Sequence, residues 1–385
     1  MGNQVNDLLG RPLRDLRISV TDRCNFRCTY CMPSEIFGEK YHFLNREEVL
    51  SYEEIKRLTE IFIHLGVRKV RITGGEPLVR RDIDKLIAQL SNIEEIEDLT
   101  LTTNGYLLAE QVEKLQKAGL RRITVSLDSL DEDIFAKMNG KGYKPNVVLK
   151  GIKAAEDLGL PVKVNAVIER GVNDNGVLDL VKYFKGSGHI LRFIEFMDVG
   201  NVNGWARDQV VPSKELCESI NKIFPIEPVD ANYVGEVAER WKFLDGDGEI
   251  GFISSITQPF CQSCTRARLS PEGFFFTCLF ANSGIDLKTP LRAGESNTEL
   301  LNKSNFNSPH LFGAPFTKDN PPGDFIDQII ARMGKDCLQN IQCHEDHRPE
   351  YAWSPGIPTS HLSSNHKLEL PFQFRHRPLW LLEPA

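Results

Sequence analysis

The sequence predicts an α/β fold of parallel strands joined by helical crossovers, on three observations. Six short β-branched runs recur about every 30 residues. At least one apolar stripe of helical period separates each run from the next. The chemically capable residues follow the runs directly, where the carboxyl ends of parallel strands gather active sites.

The elements follow in order. Residues 16–20 (LRISV) form the first run and lead straight into Cys24. Ser51-Tyr52-Glu53-Glu54 has capping-box spacing and opens a stripe of Ile55, Leu58, Phe62 and Leu65, ended near Gly66. Residues 70–73 are the next strand and close on Gly74-Gly75-Glu76-Pro77. Further strands are expected at 98–103, 122–127, 162–168 and 190–196, with helices at 82–90, 107–118, 146–158 and 175–185. An open doubly wound sheet or a full or partial βα barrel satisfies this pattern, and periodicity does not choose between them. The rhythm fades from about 205 to 300. The last 85 residues hold 10 of the 21 Pro and 6 of the 9 His, and few apolar stripes, so they are expected to be poorly packed.

Composition narrows the function. The 385 residues are 26% charged and 41% hydrophobic with net charge −7, and no apolar run is long enough to span a membrane. Mild acidity argues against coating nucleic acid while permitting a local basic pocket. Met1-Gly2-Asn3-Gln4 begins neither a signal region nor a transit stretch. This fits a cytoplasmic protein, or a mitochondrial matrix protein read from a shortened precursor. Nine Cys, an odd count in a long chain without an export signal, do not read as a disulfide framework, and two tight clusters of them read as thiolates held for a metal or cluster.

Cys24, Cys28 and Cys31 are spaced Cys-x3-Cys-x2-Cys on a loop after the first strand. Three thiolates can hold three irons of a cubane or three positions of a zinc site; zinc wants a fourth ligand, and none follows at the usual spacing. A cubane held at three corners leaves one iron open to a small molecule. With Tyr30 before the last Cys and Gly74–Pro77 on the next strand, the chain resembles the radical S-adenosylmethionine enzymes. The resemblance implies a 4Fe–4S cluster whose open iron chelates S-adenosylmethionine, cleaved there to a 5′-deoxyadenosyl radical.

Cys261, Cys264 and Cys278 form a second triad, again without an obvious fourth ligand, beside Thr265-Arg266-Ala267-Arg268. In a strand Arg266 and Arg268 share a face and can clamp one anion. Arg17, Arg71 and Lys163 lie on or beside predicted strands, and several cations converging on one barrel mouth imply a polyanion.

Both triads, with residues 16–24 and 192–198, make the chain similar over about residues 8–300 to the GTP 3′,8-cyclase family of molybdenum-cofactor biosynthesis. That resemblance implies an incomplete (βα)6 TIM-like barrel of the radical S-adenosylmethionine type with a C-terminal extension carrying a second 4Fe–4S cluster. Domains are expected at 1–225, 226–300 and 301–385. It further implies that Tyr30, Gly75, Ser126 and Met197 contact S-adenosylmethionine. Arg17, Arg71, Thr102, Lys163, Arg266, Ala267 and Arg268 would hold GTP, and the second cluster its guanine. The radical takes hydrogen from ribose C3′, and the carbon radical closes onto guanine C8. No side chain is assigned a direct catalytic step. Expected partners are an electron donor that the residues do not identify, a downstream cyclic pyranopterin monophosphate synthase and, for assembly, a second copy of the chain. Rival readings are a peptide-modifying radical enzyme, and an impaired or merely binding variant.

The family's short basic helix and Gly-Gly ending are not matched here, where the chain reads Leu-Leu-Glu-Pro-Ala. The change bears on turnover rather than on binding. Cys337, Cys343, His344 and His347 offer a weaker metal-site reading within this tail.

Overall fold

The computed structural model describes residues 11–197, 204–279, 281 and 284–297. The expectations for 301–385, including the Cys337–His347 metal reading, lie outside the described residues.

Six strands stand side by side in chain order, all parallel: β1 (Asp15–Ser19), β2 (Lys69–Thr73), β3 (Asp98–Thr103), β4 (Arg122–Ser126), β5 (Val162–Ile168) and β6 (Ile190–Glu195). Parallel neighbours need a crossover rather than a tight turn. The crossovers are α1 (Tyr52–His64), α2 (Ile83–Ser91), α3 (Leu108–Lys117), the pair α4 (Glu132–Met138) and α5 (Asn146–Asp157), and α6 (Val177–Phe184). The expected elements are present within a few residues.

The capping box forms as its spacing required. Ser51 Oγ accepts from the Glu54 N–H at 3.1 Å, and the Glu54 carboxylate accepts from the Ser51 N–H at 2.7 Å. Helix α4 was not expected. Its N-terminus is held by Asp131, whose carboxylate accepts from the N–H groups of Asp133 and Ile134, both at 2.9 Å. Of its residues only Phe135 and Met138 are buried, too few to print a stripe on the sequence.

After β6 come α7 (Ser213–Asn221) and the strands β7 (Ile226–Val229), β8 (Glu239–Phe243) and β9 (Glu249–Ile253). Strands β7 to β9 run antiparallel to one another, and β9 pairs parallel with β6. The next strand, β10 (Arg266–Leu269), pairs parallel with β1 at the opposite edge, and β11 (Phe274–Phe276) and β12 (Ile285–Asp286) continue from it antiparallel. Helix α8 (Lys288–Arg292) follows. Residues 254–265 therefore pass from one edge of the six-stranded unit to the other. The fold is the partial barrel of parallel strands with a C-terminal extension.

Strand alternation divides the barrel into two environments. Leu16, Ile18, Val70, Ile72, Leu101 and Phe193 all belong to one buried apolar core together with the helices. The alternate residues are largely polar and line the lumen, with Val167 and Ile194 as apolar members toward the carboxyl ends. Among the described residues no helix is long and apolar enough to cross a membrane.

Candidate active site

Among the described residues two cavities open on the lumen. The first lies at the carboxyl ends of the strands, and Cys24, Cys28, Tyr30, Cys31, Gly75, Thr102, Ser126 and Asp128 are among its walls. The second lies toward the amino ends and is lined by Arg17, Lys69, Arg71, Arg122, Lys163, Arg192 and Arg266, with Asp15 and Glu236 as its acids.

The loop after β1 presents all three thiols half-buried around the first cavity. It is pinned from within. Arg27 donates through Nη1 to the carbonyls of Cys24 (2.8 Å) and Phe26 (2.6 Å) and through Nε to that of Phe37 (2.7 Å). The N–H groups of Cys31 and Met32 both donate to the Cys28 carbonyl. Gly74 and Gly75 seat this loop against β2: a Cβ on Gly75 would lie 2.4 Å from the Arg23 carbonyl oxygen, and one on Gly74 2.8 Å from that of Thr21. Both glycines therefore admit a close approach of two backbone segments of the chain, and both also wall the first cavity. The buried Glu76 completes the joint. Its carboxylate accepts from Leu78 N–H (3.0 Å), Thr103 Oγ1 (2.8 Å) and Asn104 N–H (2.7 Å).

Burial pushes the Cys24 thiol up to about 12, with Glu76 adding to the rise. Cys28 is raised well above the ordinary thiol range by burial, then by Cys31, Cys24 and Asp128. Met197 is buried and packs against Cys31, Ile256 and Leu279, joining the first triad to the extension.

Pairing register explains the second cavity. Arg268, Arg17, Arg71 and Thr100 sit opposite one another across β10, β1, β2 and β3, and Thr100 in turn faces Arg122 on β4. Arg71 donates through Nη1 to Thr102 Oγ1 (2.8 Å) and Thr124 Oγ1 (3.1 Å), and Thr102 also walls the first cavity. Asp98 takes Arg122 at 2.7 Å, while Lys69 lies 3.5 Å from Asp15 and 3.8 Å from Asp98. Lys163 has no ion pair among the described residues. Burial, then repulsion from Arg192 and Arg122, brings its pKa down to about 7. Arg192 donates through Nε to Asn165 at 2.9 Å, while its buried Nη2 finds no hydrogen-bond partner among the described residues. Seven basic side chains line this space against Asp15 and Glu236, with Asp98 behind pairing Arg122 and Lys69, so it stays net positive and favours an anion.

The sequence reading set these cations at a barrel mouth; the structure sets them toward the amino ends. Arg17 and Arg71 are each the third residue of a strand and Lys163 the second, so the pleat points them into the lower lumen. Lys69, Arg122 and Arg192 were missed. The signal was available in strands such as KVRIT and ILRFIE, where polar residues alternate with apolar ones. Parallel strands buried on both faces read as continuous apolar runs, so that alternation marks a polar lumen.

The second triad begins in the 254–265 crossing. Cys261 and Cys264 share a tight turn, with the Cys264 N–H donating to the Cys261 carbonyl at 3.2 Å. Arg266 donates to Cys264 Sγ from Nη2 (3.2 Å) and Nε (3.4 Å), and its guanidinium lies over the Phe260 ring. Burial pushes the Cys264 thiol up, but Arg266 and its N–H donors, with Arg268 behind, outweigh it and hold the thiol below its ordinary value. Arg268 faces Phe276 across β10 and β11, and Cys278 follows two residues after the end of β11. Ala267 is fully exposed to neither cavity; its side chain is buried in the apolar core on the other face of β10.

Among the described residues no three His, Cys, Asp or Glu side chains converge on one point as a single ion requires. Tetrahedral zinc would draw its sulfurs to within about 3.8 Å of each other, given Zn–S bonds of about 2.3 Å. A cubane suits thiols spread around a cavity, because each binds a different iron.

A sulfur-lined cavity at the carboxyl end of a partial βα barrel places the chain in the radical S-adenosylmethionine class, and the model described as the Radical SAM superfamily matches residues 18–184. That family implies a 4Fe–4S cluster and S-adenosylmethionine. A second model, Molybdenum Cofactor Synthesis C, matches residues 189–306. The GTP 3′,8-cyclase of Staphylococcus carnosus is 50% identical over 304 residues, covering 79% of this chain and 89% of that protein. That of Acidothermus cellulolyticus is 54% identical over 300 residues, 78% and 82% of the two chains. The chain belongs to the GTP 3′,8-cyclase family. Among solved structures, Streptococcus suis SuiB bound to precursor peptide SuiA is similar at TM-score 0.54 with 17% identity, over 83% of this chain and 71% of that one. SuiB bound to S-adenosylmethionine gives TM-score 0.50 with 20% identity, over 70% of this chain and 60% of that one. These two likenesses show the fold alone.

Proposed function

We propose that this chain cyclises GTP to (8S)-3′,8-cyclo-7,8-dihydroguanosine 5′-triphosphate, the step that opens molybdopterin biosynthesis. The observation that carries this reading is the cationic lower lumen, adjoining one cysteine triad on the barrel loop and a second on the crossing segment. Family membership at 50–54% identity supports it.

In this reading Cys24, Cys28 and Cys31 hold a 4Fe–4S cluster that, with S-adenosylmethionine bound, supplies a 5′-deoxyadenosyl radical. Tyr30, Gly75, Ser126 and Met197 surround the cofactor. Cys261, Cys264 and Cys278 hold a second cluster that faces the guanine. Arg17, Arg71, Thr102, Lys163, Arg266 and Arg268 bind the nucleotide, and Lys69, Arg122 and Arg192 add charge for the phosphates. Ala267 contributes by seating β10 in the core, so that its two arginines face inward. Buried guanidiniums suit phosphate oxygens because several N–H donors meet the charge in a fixed plane. Residues 1–225 would supply the radical half and 226–300 the nucleotide-gripping half. An external reductant and a downstream pterin synthase complete the sequence of reactions.

Anaerobically reconstituted protein given S-adenosylmethionine, GTP and dithionite is expected to form 5′-deoxyadenosine and the cyclised nucleotide together. Cofactor cleavage without nucleotide product, at saturating GTP, contradicts the assignment.

A further inference from the structure

We propose that Asp128 is a positioning residue for the S-adenosylmethionine site, clamping Tyr30 to the end of β5 and so fixing one wall of the cavity beside the first triad. The inference rests on the cofactor reading of that cavity given above.

Asp128 lies two residues beyond β4 and is buried. Its Oδ2 accepts from the Tyr30 hydroxyl at 2.8 Å, across 98 residues of sequence. Its Oδ1 accepts from the Val167 N–H at 2.9 Å. The Asn173 amide ties off the junction from behind, donating to the carbonyls of both Asp128 and Val167 at 2.8 Å. Tyr30, Asp128 and Val167 all wall the first cavity, together with the three thiols. A single side chain thus links the cysteine loop to two strand ends.

No cation pairs with this carboxylate among the described residues, so its hydrogen bonds alone compensate its burial. Stability by itself gives little reason for that choice, since apolar residues of similar volume are often neutral or better in such places. What the carboxylate adds is direction. Tyr30 stands between Cys28 and Cys31, its hydroxyl also reaches the Cys28 thiol, and the bond to Asp128 fixes the direction in which the ring is held. Without that acceptor the ring loses its tie to the ends of β4 and β5, and the cavity loses the shape a ligand would meet.

The arrangement needs geometry rather than charge, and this separates positioning from electrostatics. In Asp128→Asn the amide can accept from Val167 N–H and donate to the Tyr30 oxygen, preserving both links. In Asp128→Ala both links go. In Tyr30→Phe only the hydroxyl goes. The probe is S-adenosylmethionine itself, binding at equilibrium to anaerobically reconstituted protein, with iron content and GTP affinity measured alongside.

Tyr30→Phe is expected to weaken S-adenosylmethionine binding about tenfold, as loss of one buried charge-assisted hydrogen bond does, and Asp128→Ala, which also leaves the Val167 N–H without its acceptor, at least as much. Asp128→Asn stays within about threefold of the starting protein, because it loses no partner. The double variant Tyr30→Phe/Asp128→Ala should bind no more weakly than Asp128→Ala alone, the mark of two residues acting through one contact. Iron content and GTP affinity stay unchanged in all four. Additive losses, or Tyr30→Phe binding as tightly as the starting protein, overturn the proposal. Should Asp128→Ala not fold, Tyr30→Phe against Asp128→Asn still decides it. Failure of the unsubstituted protein to bind S-adenosylmethionine would instead sink the underlying site reading.

Discussion

The cavity beside the first triad carries only carboxylates among its charged walls, whereas the second triad lies against a guanidinium. Around Cys24 and Cys28, burial with Glu76, Asp128 and neighbouring thiols keeps the sulfurs protonated in the metal-free chain. Around Cys264, Arg266 reverses the effect of burial. Each environment matches what lies next to it. The first triad borders a neutral to acidic cavity; the second shares its arginine with the anion cavity, since Arg266 touches Cys264 and lines that space. Two chemically similar triads can therefore divide the labour, one serving the cofactor and the other the substrate.

Substitution within each triad is the strongest way to break this comparison. Cys28→Ala should abolish 5′-deoxyadenosine formation and cyclised nucleotide alike. Cys264→Ala should abolish the cyclised nucleotide while leaving slow cofactor cleavage measurable by chromatography. If both variants lose the same activities, the division of labour is wrong.

The next effect concerns the lumen. Arg17→Gln removes a buried guanidinium from the anion cavity and should weaken GTP binding about 10- to 100-fold, the range for a charge-assisted contact. S-adenosylmethionine affinity, measured in parallel by equilibrium dialysis, should stay within about twofold, because that residue does not wall the other cavity.

Lys163 sharpens the picture through pH. Its free-protein pKa of about 7 means that it is charged below neutrality and increasingly neutral above it. A polyanion favours the protonated amine, so binding above pH 7 must take up a proton. GTP affinity should then fall with rising pH, by at most about tenfold per unit. Isothermal titration across pH 6–9, a range on the order of three units, should show this slope in the starting protein and lose it in Lys163→Met.

The smallest expected effect falls on Arg266, which belongs to both regions. Arg266→Gln should weaken GTP binding and also release iron from the second triad a few-fold faster under chelation, since it removes hydrogen bonds to one thiolate while leaving all three thiolates in place. Arg17→Gln should leave iron retention alone.

Much of this was legible in the sequence, and the reasons differ by region. The βα order was plain because each strand's outer residues and each helix's stripe face one shared core, so burial wrote a clear period. The thiols were plain because tight spacing on a loop has few other uses. Helix α4 was hidden because two buried residues make no stripe. Lys69, Arg122 and Arg192 were hidden because a lumen-facing cation and a solvent-facing one look alike until register gathers them. The roles of Gly74 and Gly75 were half visible: glycine announced a close approach, but not that the partner would be the Thr21 and Arg23 carbonyls. Asp128 and its link to Tyr30 depend on a contact spanning 98 residues, which no local pattern carries.

Whether two separate triads serve two different ligands in one lumen can be read from the triple variant Cys24→Ala/Cys28→Ala/Cys31→Ala, reconstituted anaerobically, reduced, and followed by electron paramagnetic resonance. About four irons should remain per chain, with a cluster signal that shifts on adding GTP but not S-adenosylmethionine. A variant without iron, or a signal that answers to S-adenosylmethionine instead, would contradict that division.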